Sequence, residues 1–297
     1  GGGPAGITAG IYAERAGLNV LLIERGAPGG QVLTTEVIEN YPGFPKGVNG
    51  PEMASRMFSQ LENLGTEIMY SNVNGVEPEG SRYIVNTDKE RIRTRTVILA
   101  TGAEPVRLNV VGENSFLGKG VSYCATCDGA FFSNKKVAVV GGGDAAIEES
   151  IFLSKIVEKV YVIHRRGELR ATKILQQRAM DNPKIGFFLH YVVDKVQGQG
   201  KVESISIKDV RDNTTKDIAV DGVFIYVGTR PNSELLSGLV EMNKGGYVLS
   251  DARMHTSLPG IFVAGDVRLK PLRQVVTAVA DGAIATESAL RYIEENN

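Results

Sequence analysis

The sequence predicts an α/β fold of two nucleotide-binding domains, each a parallel sheet with helices plus a small antiparallel meander. Three observations predict it. A glycine-rich turn, an amphipathic helix and a β-branched strand recur at an interval of 140 residues, Gly1 matching Gly141. Each copy is followed by short alternating segments broken by turn residues. A length of 297 residues, 42% of them hydrophobic, suffices to fill about two cores.

Gly1-Gly-Gly3-Pro4-Ala5-Gly6 aligns with Gly141-Gly-Gly143-Asp144-Ala145-Ala146 without a gap for about 25 residues. Ile11 falls on Ile151, Tyr12 on Phe152, Val20 on Val160 and Ile23 on Ile163. The glycines do separate work: a tight turn, close approach of backbone to a pyrophosphate, and close helix–strand packing. The N-terminus of the following helix offers free N–H groups to phosphate oxygens. One such loop is weak support, but two in register define two Rossmann-like units.

The repeat also separates two nucleotides. Glu24 stands 21 residues after Gly3, where an acid accepts hydrogen bonds from a ribose diol. The same place in the second copy is His164, followed by Arg165, Arg166 and Arg170. An acid repels a 2′-phosphate, whereas guanidinium groups bind one through charge-assisted bonds. Copy one therefore fits an unphosphorylated ribose such as that of FAD, and copy two fits NADPH. The bland reading of His-Arg-Arg is a solvated strand end.

The remaining elements complete both units. Thr96-Val-Ile-Leu-Ala-Thr101-Gly102 is a buried strand ending in a small-residue turn, and Gly222 to Gly228 is its counterpart. Meanders are expected at Ser81 to Thr87 and Val202 to Val220, the latter turning at Asp212-Asn213. Pro259 to Val263 is a further strand, ending in Gly265-Asp266, and an amphipathic helix follows from about Gln274 to Tyr292. This last piece returns to the first unit. The expected organisation is an FAD-binding domain of residues 1–113 and 244–297, with an NADPH-binding domain, 114–243, inserted. Copy two has a strand before its loop, Lys136 to Val140, but copy one starts at its first glycine. The expectation is that the natural protein carries a few more N-terminal residues; without them the first domain lacks a central strand and should be unstable.

Bulk properties exclude several classes. A net charge of −1 gives no global field to attract nucleic acid or an anionic membrane. The alternating Arg91, Arg93 and Arg95 read as an exposed strand face rather than a phosphate track. No apolar run reaches bilayer-spanning length and no signal peptide is visible. One cysteine pair in a chain this long points to a reducing compartment, hence the cytoplasm. Asn213-Thr-Thr215 matches a glycosylation sequon, but a cytosolic turn is the better reading.

That pair, Cys124-Ala-Thr-Cys127 followed by Asp128, carries the chemistry. Two cysteines so spaced can close and reopen a small disulfide, and a thiol near a helix N-terminus is a usable nucleophile near neutral pH. A structural zinc site needs four ligands, and the chain adds only the scattered His164, His190 and His255. A purely stabilising disulfide around so short a loop restrains little of the unfolded chain. Redox work is the favoured reading, with electrons passing from a nicotinamide to a disulfide.

These motifs give the chain a close resemblance, over essentially its whole length, to the bacterial-type, low-molecular-weight thioredoxin reductases. They are Gly1 to Gly6, Gly29-Gly30-Gln31, Glu39-Asn40-Tyr41-Pro42-Gly43, Ala100-Thr101-Gly102 and Cys124 to Gly129. Gly141 to Ala146, His164-Arg165-Arg166 with Arg170, and Gly265-Asp266 with Arg273-Gln274 complete the set. The larger glutathione-reductase-type enzymes carry a wider-spaced pair in the FAD domain, where this chain has no cysteine. The departures are the missing first strand and Asp144-Ala145 in the second loop.

The resemblance implies tightly bound FAD, NADPH as donor, oxidised thioredoxin as acceptor and a homodimer. It implies that Glu24 to Gln31, with Arg25 and Gly30, and Asp266 to Val275 line the FAD. Asp266 would lie near the ribityl and phosphate groups, and Gln31 and Asn40 near the isoalloxazine. Cys127 would face the flavin, Cys124 would attack the protein substrate and Asp128 would manage the thiolate protons. Asp128 as a mere helix cap is the bland alternative. Gly143 to Ala146 would hold the NADPH pyrophosphate and the arginines its 2′-phosphate. Because nicotinamide and disulfide must both reach the flavin, a hinge rotation is expected near residues 112–120 and 243–246. The rival readings are a related flavoenzyme acting on another protein or small-molecule dithiol or disulfide, and a non-catalytic flavin-binding sensor.

Overall fold

Lys136–Val140 is buried along almost its whole length and forms the centre of a five-stranded parallel sheet. The computed structural model describes residues 1–297 except 36, 39 and 297, so Glu39 of the Asn-Tyr-Pro-Gly motif lies outside the described residues. Across this sheet the order is Val121–Ser122, Gly222–Ile225, Lys136–Val140, Lys159–His164 and Ile185–Leu189. Among the described residues the α-helices are α1 (Pro4–Arg15), α2 (Gly50–Glu62), α3 (Ala125–Asp128), α4 (Asp144–Ser154), α5 (Lys173–Met180) and α6 (Val275–Glu295).

The chain divides into two compact units, Gly1–Glu104 with Arg230–Asn297, and Pro105–Thr229. In the second, the period-2 alternation of the central strand sorts its side chains onto two faces. Val137 and Val139 pack with Ile147 and Leu153 of α4 and Ala179 of α5. Ala138 and Val140 pack with Val193, Val196, Ile205 and Ile207 of an antiparallel meander, Tyr191–Gln197, Ser204–Asp209 and Thr215–Ala219. The layers are therefore helices, parallel sheet and meander. Each buried Val, Ile or Leu side chain among them contributes about 1.5–3 kcal/mol.

In the first unit Leu21–Glu24 pairs in parallel with Glu67–Tyr70, and Val97–Leu99 with Ile261–Val263. No strand among the described residues joins these two pairs, and a cavity of about 810 Å³ lined by Leu21, Leu22, Ile98 and Leu99 lies there. In the second unit Lys136–Val140 takes that place. The meander is Val73–Glu79, Arg82–Thr87 and Arg91–Thr94, and the exposed Arg91 and Arg93 pair with Glu77 and Glu79. Helix α6 starts at a Gln274–Thr277 capping box. It packs on α1 through Gly282, where a Cβ would stand 2.2 Å from Ala5 O.

The crossings at 104/105 and 229/230 lie upstream of the boundaries suggested by the sequence. Glu113 is buried and accepts from Leu108 N (2.9 Å), Asn109 N (2.6 Å) and the Tyr123 hydroxyl (2.6 Å), which draws residues 105–113 into the second unit. Leu236 and Val240 join the core of Val76, Val85 and Leu99, which draws 230–243 into the first.

Candidate active site

Cys124 caps α3 in an extended conformation, and its sulfur is bonded to that of Cys127, with Cα atoms 5.3 Å apart. Buried Ser122, at the end of the sheet's edge strand, organises the motif. Its Oγ donates to Asp128 Oδ2 at 2.5 Å and accepts the Cys124 amide at 3.0 Å. The Asp128 amide donates to Cys124 O at 3.1 Å. From the far side, the Tyr226 hydroxyl accepts the Ala125 amide at 2.5 Å. Burial, reinforced by the Glu149 carboxylate, pushes the Tyr226 phenol far up, so it stays neutral.

The second glycine loop follows directly in space. Gly141, at φ 152°, has no room for a side chain: a Cβ would stand 2.5 Å from Tyr226 O and 2.7 Å from Ala146 Cβ. A Cβ on Gly143 would meet nothing within 4 Å, so the helix N-terminus stays open to a phosphate. Asp144 Oδ1 accepts the Thr172 amide (2.7 Å), and Gly142 O accepts the amides of Arg170 (2.7 Å) and Ala171 (3.1 Å). These bonds bring Arg170 to the loop. Ala145 is exposed and Ala146 buried. The His164 ring lies against Gly142, its Nε2 buried without a hydrogen bond, and burial lowers the imidazole below its ordinary range. Arg165, Arg166 and Arg170 are exposed, and none forms an ion pair among the described residues.

The first loop is built alike. Gly3 caps α1 with φ −77° and ψ −179°, as Gly143 caps α4 with −91° and 179°. Pro4, Ala5 and Gly6 open α1, and a Cβ on Gly1 would stand 2.6 Å from Ala100 O. Glu24 accepts from Gly2 N (2.5 Å) and Gly26 N (2.8 Å), one bond per oxygen, which leaves acceptor positions over. Arg25 is turned to Glu104 in an exposed pair at 3.0 Å. Gly30 closes on Gly3, and Gln31 follows in the same 3₁₀ turn. Asn40 Nδ2 donates to Gln274 Oε1 at 3.0 Å, joining two predicted residues far apart in sequence. Gly265, at φ 80°, approaches Ala5, and Asp266 Oδ1 and Arg273 Nε are buried without a hydrogen bond. Arg273 also stacks on the Tyr247 ring at 4.2 Å, and Val275 opens α6.

Sequence reasoning missed four residues. Asn232 fixes the Thr101-Gly102 turn by donating to Thr101 O and Gly102 O, both at 3.0 Å; its signal was the Thr-Arg-Pro run just before it. Ser122, Tyr226 and the half-buried Glu149 left none. Glu149 Oε2 is buried without a partner, and burial raises its carboxyl.

The profile of the pyridine nucleotide-disulphide oxidoreductases matches residues 1–282. The chain belongs to that family. It is 45% identical over 297 residues to a thioredoxin reductase of Bacillus subtilis, covering 99% of this chain and 93% of that one. Thioredoxin reductase of Listeria innocua is also 45% identical, over 99% and 92% of the two chains. The crystal structure of thioredoxin reductase from Streptococcus pyogenes superposes with a TM-score of 0.96 at 47% identity, over 99% and 96%. Within the family the chain falls among the thioredoxin reductases of bacterial type. Its cofactors are FAD and NADPH. The residues present fit them: open loops at Gly3 and Gly143, and orphaned buried atoms on Asp266, Arg273, His164 and Glu149.

Proposed function

We propose that the chain reduces oxidised thioredoxin at Cys124–Cys127. The observation that carries this reading is the bonded cysteine pair, braced by Ser122 and Asp128, in the same unit as a phosphate loop flanked by three unpaired arginines. The unit Gly1–Glu104 with Arg230–Asn297 binds FAD, and Pro105–Thr229 binds NADPH. Gly1, Gly3 to Gly6, Glu24, Arg25, Gly30, Gln31, Asn40, Thr101, Gly102, Gly265, Asp266 and Arg273 to Val275 hold the first. Gly141, Gly143 to Ala146, His164, Arg165, Arg166 and Arg170 hold the second. When bound, NADPH supplies a hydride and FAD relays the electron pair to the disulfide.

The chain's own residues do the rest. Once reduced, the Cys124 thiolate attacks one sulfur of the thioredoxin disulfide, and the other leaves as a thiolate and takes a proton. The Cys127 thiolate then attacks Cys124, restoring the bond and releasing reduced thioredoxin. Asp128, held by Ser122 next to Cys127, accepts and returns the proton.

The enzyme works as a homodimer in the cytoplasm. Exposed Tyr12 of α1 and Ile284 of α6 line one depression of the first unit with Arg253, Glu287 and Arg291, a mixed apolar and charged surface that a partner copy can cover. The lone cysteine pair supports a reducing compartment. None of the described helices is long and apolar enough to cross a membrane.

The test is NADPH oxidation with a panel of oxidised partners. Turnover with thioredoxin that disappears in Cys124→Ser and Cys127→Ser is expected. Turnover only with another dithiol protein would overturn the substrate, and thioredoxin turnover in either variant would overturn the site.

A further inference from the structure

After the Gly265 turn, four charged side chains of the first unit form one buried cluster. The Lys270 side chain is 3% exposed, Asp281 8% and Arg268 13%, with Asp266 at 31%. Lys270 Nζ lies 3.1 Å from Asp281 Oδ2, 3.2 Å from Thr277 Oγ1 and 3.2 Å from Asp266 Oδ1. Asp281 also accepts from Gly265 N at 3.1 Å and pairs with Arg268 Nη1 at 3.3 Å, while Arg268 Nε donates to Ser250 Oγ at 2.8 Å.

Burying an ammonium group this deeply is costly, and apolar side chains of the same volume often hold such elements together equally well or better. The cluster is thus weakly justified as a source of stability. One arm of it runs from α6 through Asp281 and Lys270 to Asp266. Asp266 Oδ1 sits within ion-pair distance of Lys270, yet it is buried without a hydrogen bond. Burial raises the Asp266 carboxyl, and the Lys270 charge opposes that rise.

We propose that Lys270, held by Asp281, is a positioning residue for FAD: it orients the Asp266 carboxylate as an acceptor for hydroxyl groups of the cofactor. The inference rests on the reading that Asp266 contacts FAD. Asp281 and Thr277 are fixed on α6, so the helix sets the position of the ammonium group, and through it the carboxylate.

The experiment is FAD dissociation from the intact flavoprotein, followed by the rise of free-flavin fluorescence on dilution, with the urea midpoint of the flavin-free chain measured in parallel. Lys270→Met should raise the Kd for FAD at least tenfold, as should Asp266→Ala. Because Lys270→Met removes one of the two cations beside Asp281 and can destabilise the chain, the second variant is Lys270→Met/Asp281→Asn, whose side-chain oxygen still accepts from Gly265 N and Arg268. It should keep the parental urea midpoint and still lose at least tenfold in FAD affinity, which a merely structural cluster would not do. A Kd within twofold of the parent in the double variant, with Asp266→Ala weakened, overturns the role of Lys270. A Kd within twofold in Asp266→Ala overturns the reading of Asp266 and the inference with it.

Discussion

The Ser122 hydroxyl joins the two ends of the redox motif, donating to Asp128 Oδ2 at 2.5 Å while accepting the Cys124 amide at 3.0 Å. A hydrogen bond to a charged group contributes about 1.5–3 kcal/mol, and about 1.4 kcal/mol is tenfold in rate. Ser122→Ala should therefore slow kcat with thioredoxin by at least about tenfold. FAD content should stay at the parental level. A kcat within twofold of the parent contradicts the role given to Ser122.

Arg165, Arg166 and Arg170 are exposed and without ion pairs among the described residues, beside a loop that Arg170 reaches through the Gly142 carbonyl. Losing a charge-assisted bond to a 2′-phosphate costs about 1.5–3 kcal/mol. Arg165→Ala/Arg166→Ala should lower kcat/KM for NADPH by at least about tenfold and leave that for NADH nearly unchanged. Steady-state rates with both nucleotides decide it, and an equal fall for the two contradicts the phosphate assignment.

Tyr226→Phe removes the acceptor of the Ala125 amide, whose residue is buried. An unsatisfied buried N–H costs about 1–3 kcal/mol. The urea midpoint should fall accordingly while the m-value is unchanged. An unaltered midpoint would mean that water or another group replaces the hydroxyl.

Burial, more than the charges of Arg170, Arg166 and Arg165, holds the His164 imidazole below its ordinary range. A depressed value means that the folded state resists protonation. Stability from this group is therefore complete above the unfolded value of about 6.5 and is lost as pH falls through the lower folded value. Urea midpoints at about pH 8 and about pH 5 should differ less in His164→Asn than in the parent. An equal difference in both removes His164 from the pH dependence.

The fold and the two loops were legible because repeats, glycine spacing and strand alternation are local signals. Gly3 and Gly143 share the same cap geometry, as their alignment implied, and Lys136–Val140 is the strand it was read to be. The contacts that finish the site were not legible. Tyr226 reaches Ala125 across 101 positions and Asn232 reaches Thr101 across 131, and such pairs leave no periodic trace. The division into compact units at 104/105 and 229/230 also rests on long-range contacts. Glu113 holds Leu108 and Asn109 within the second unit, and Leu236 lies in the core of the first, ahead of the glycines near 243–246.

Electrons are proposed to run from NADPH through FAD and Cys124–Cys127 to thioredoxin. Anaerobic addition of NADPH to the FAD-loaded protein, recorded as flavin absorbance and followed by oxidised thioredoxin, tests this path most directly. Bleaching and then recovery are expected, with recovery lost in Cys124→Ser. Bleaching without recovery, or recovery that persists in Cys124→Ser, would contradict it.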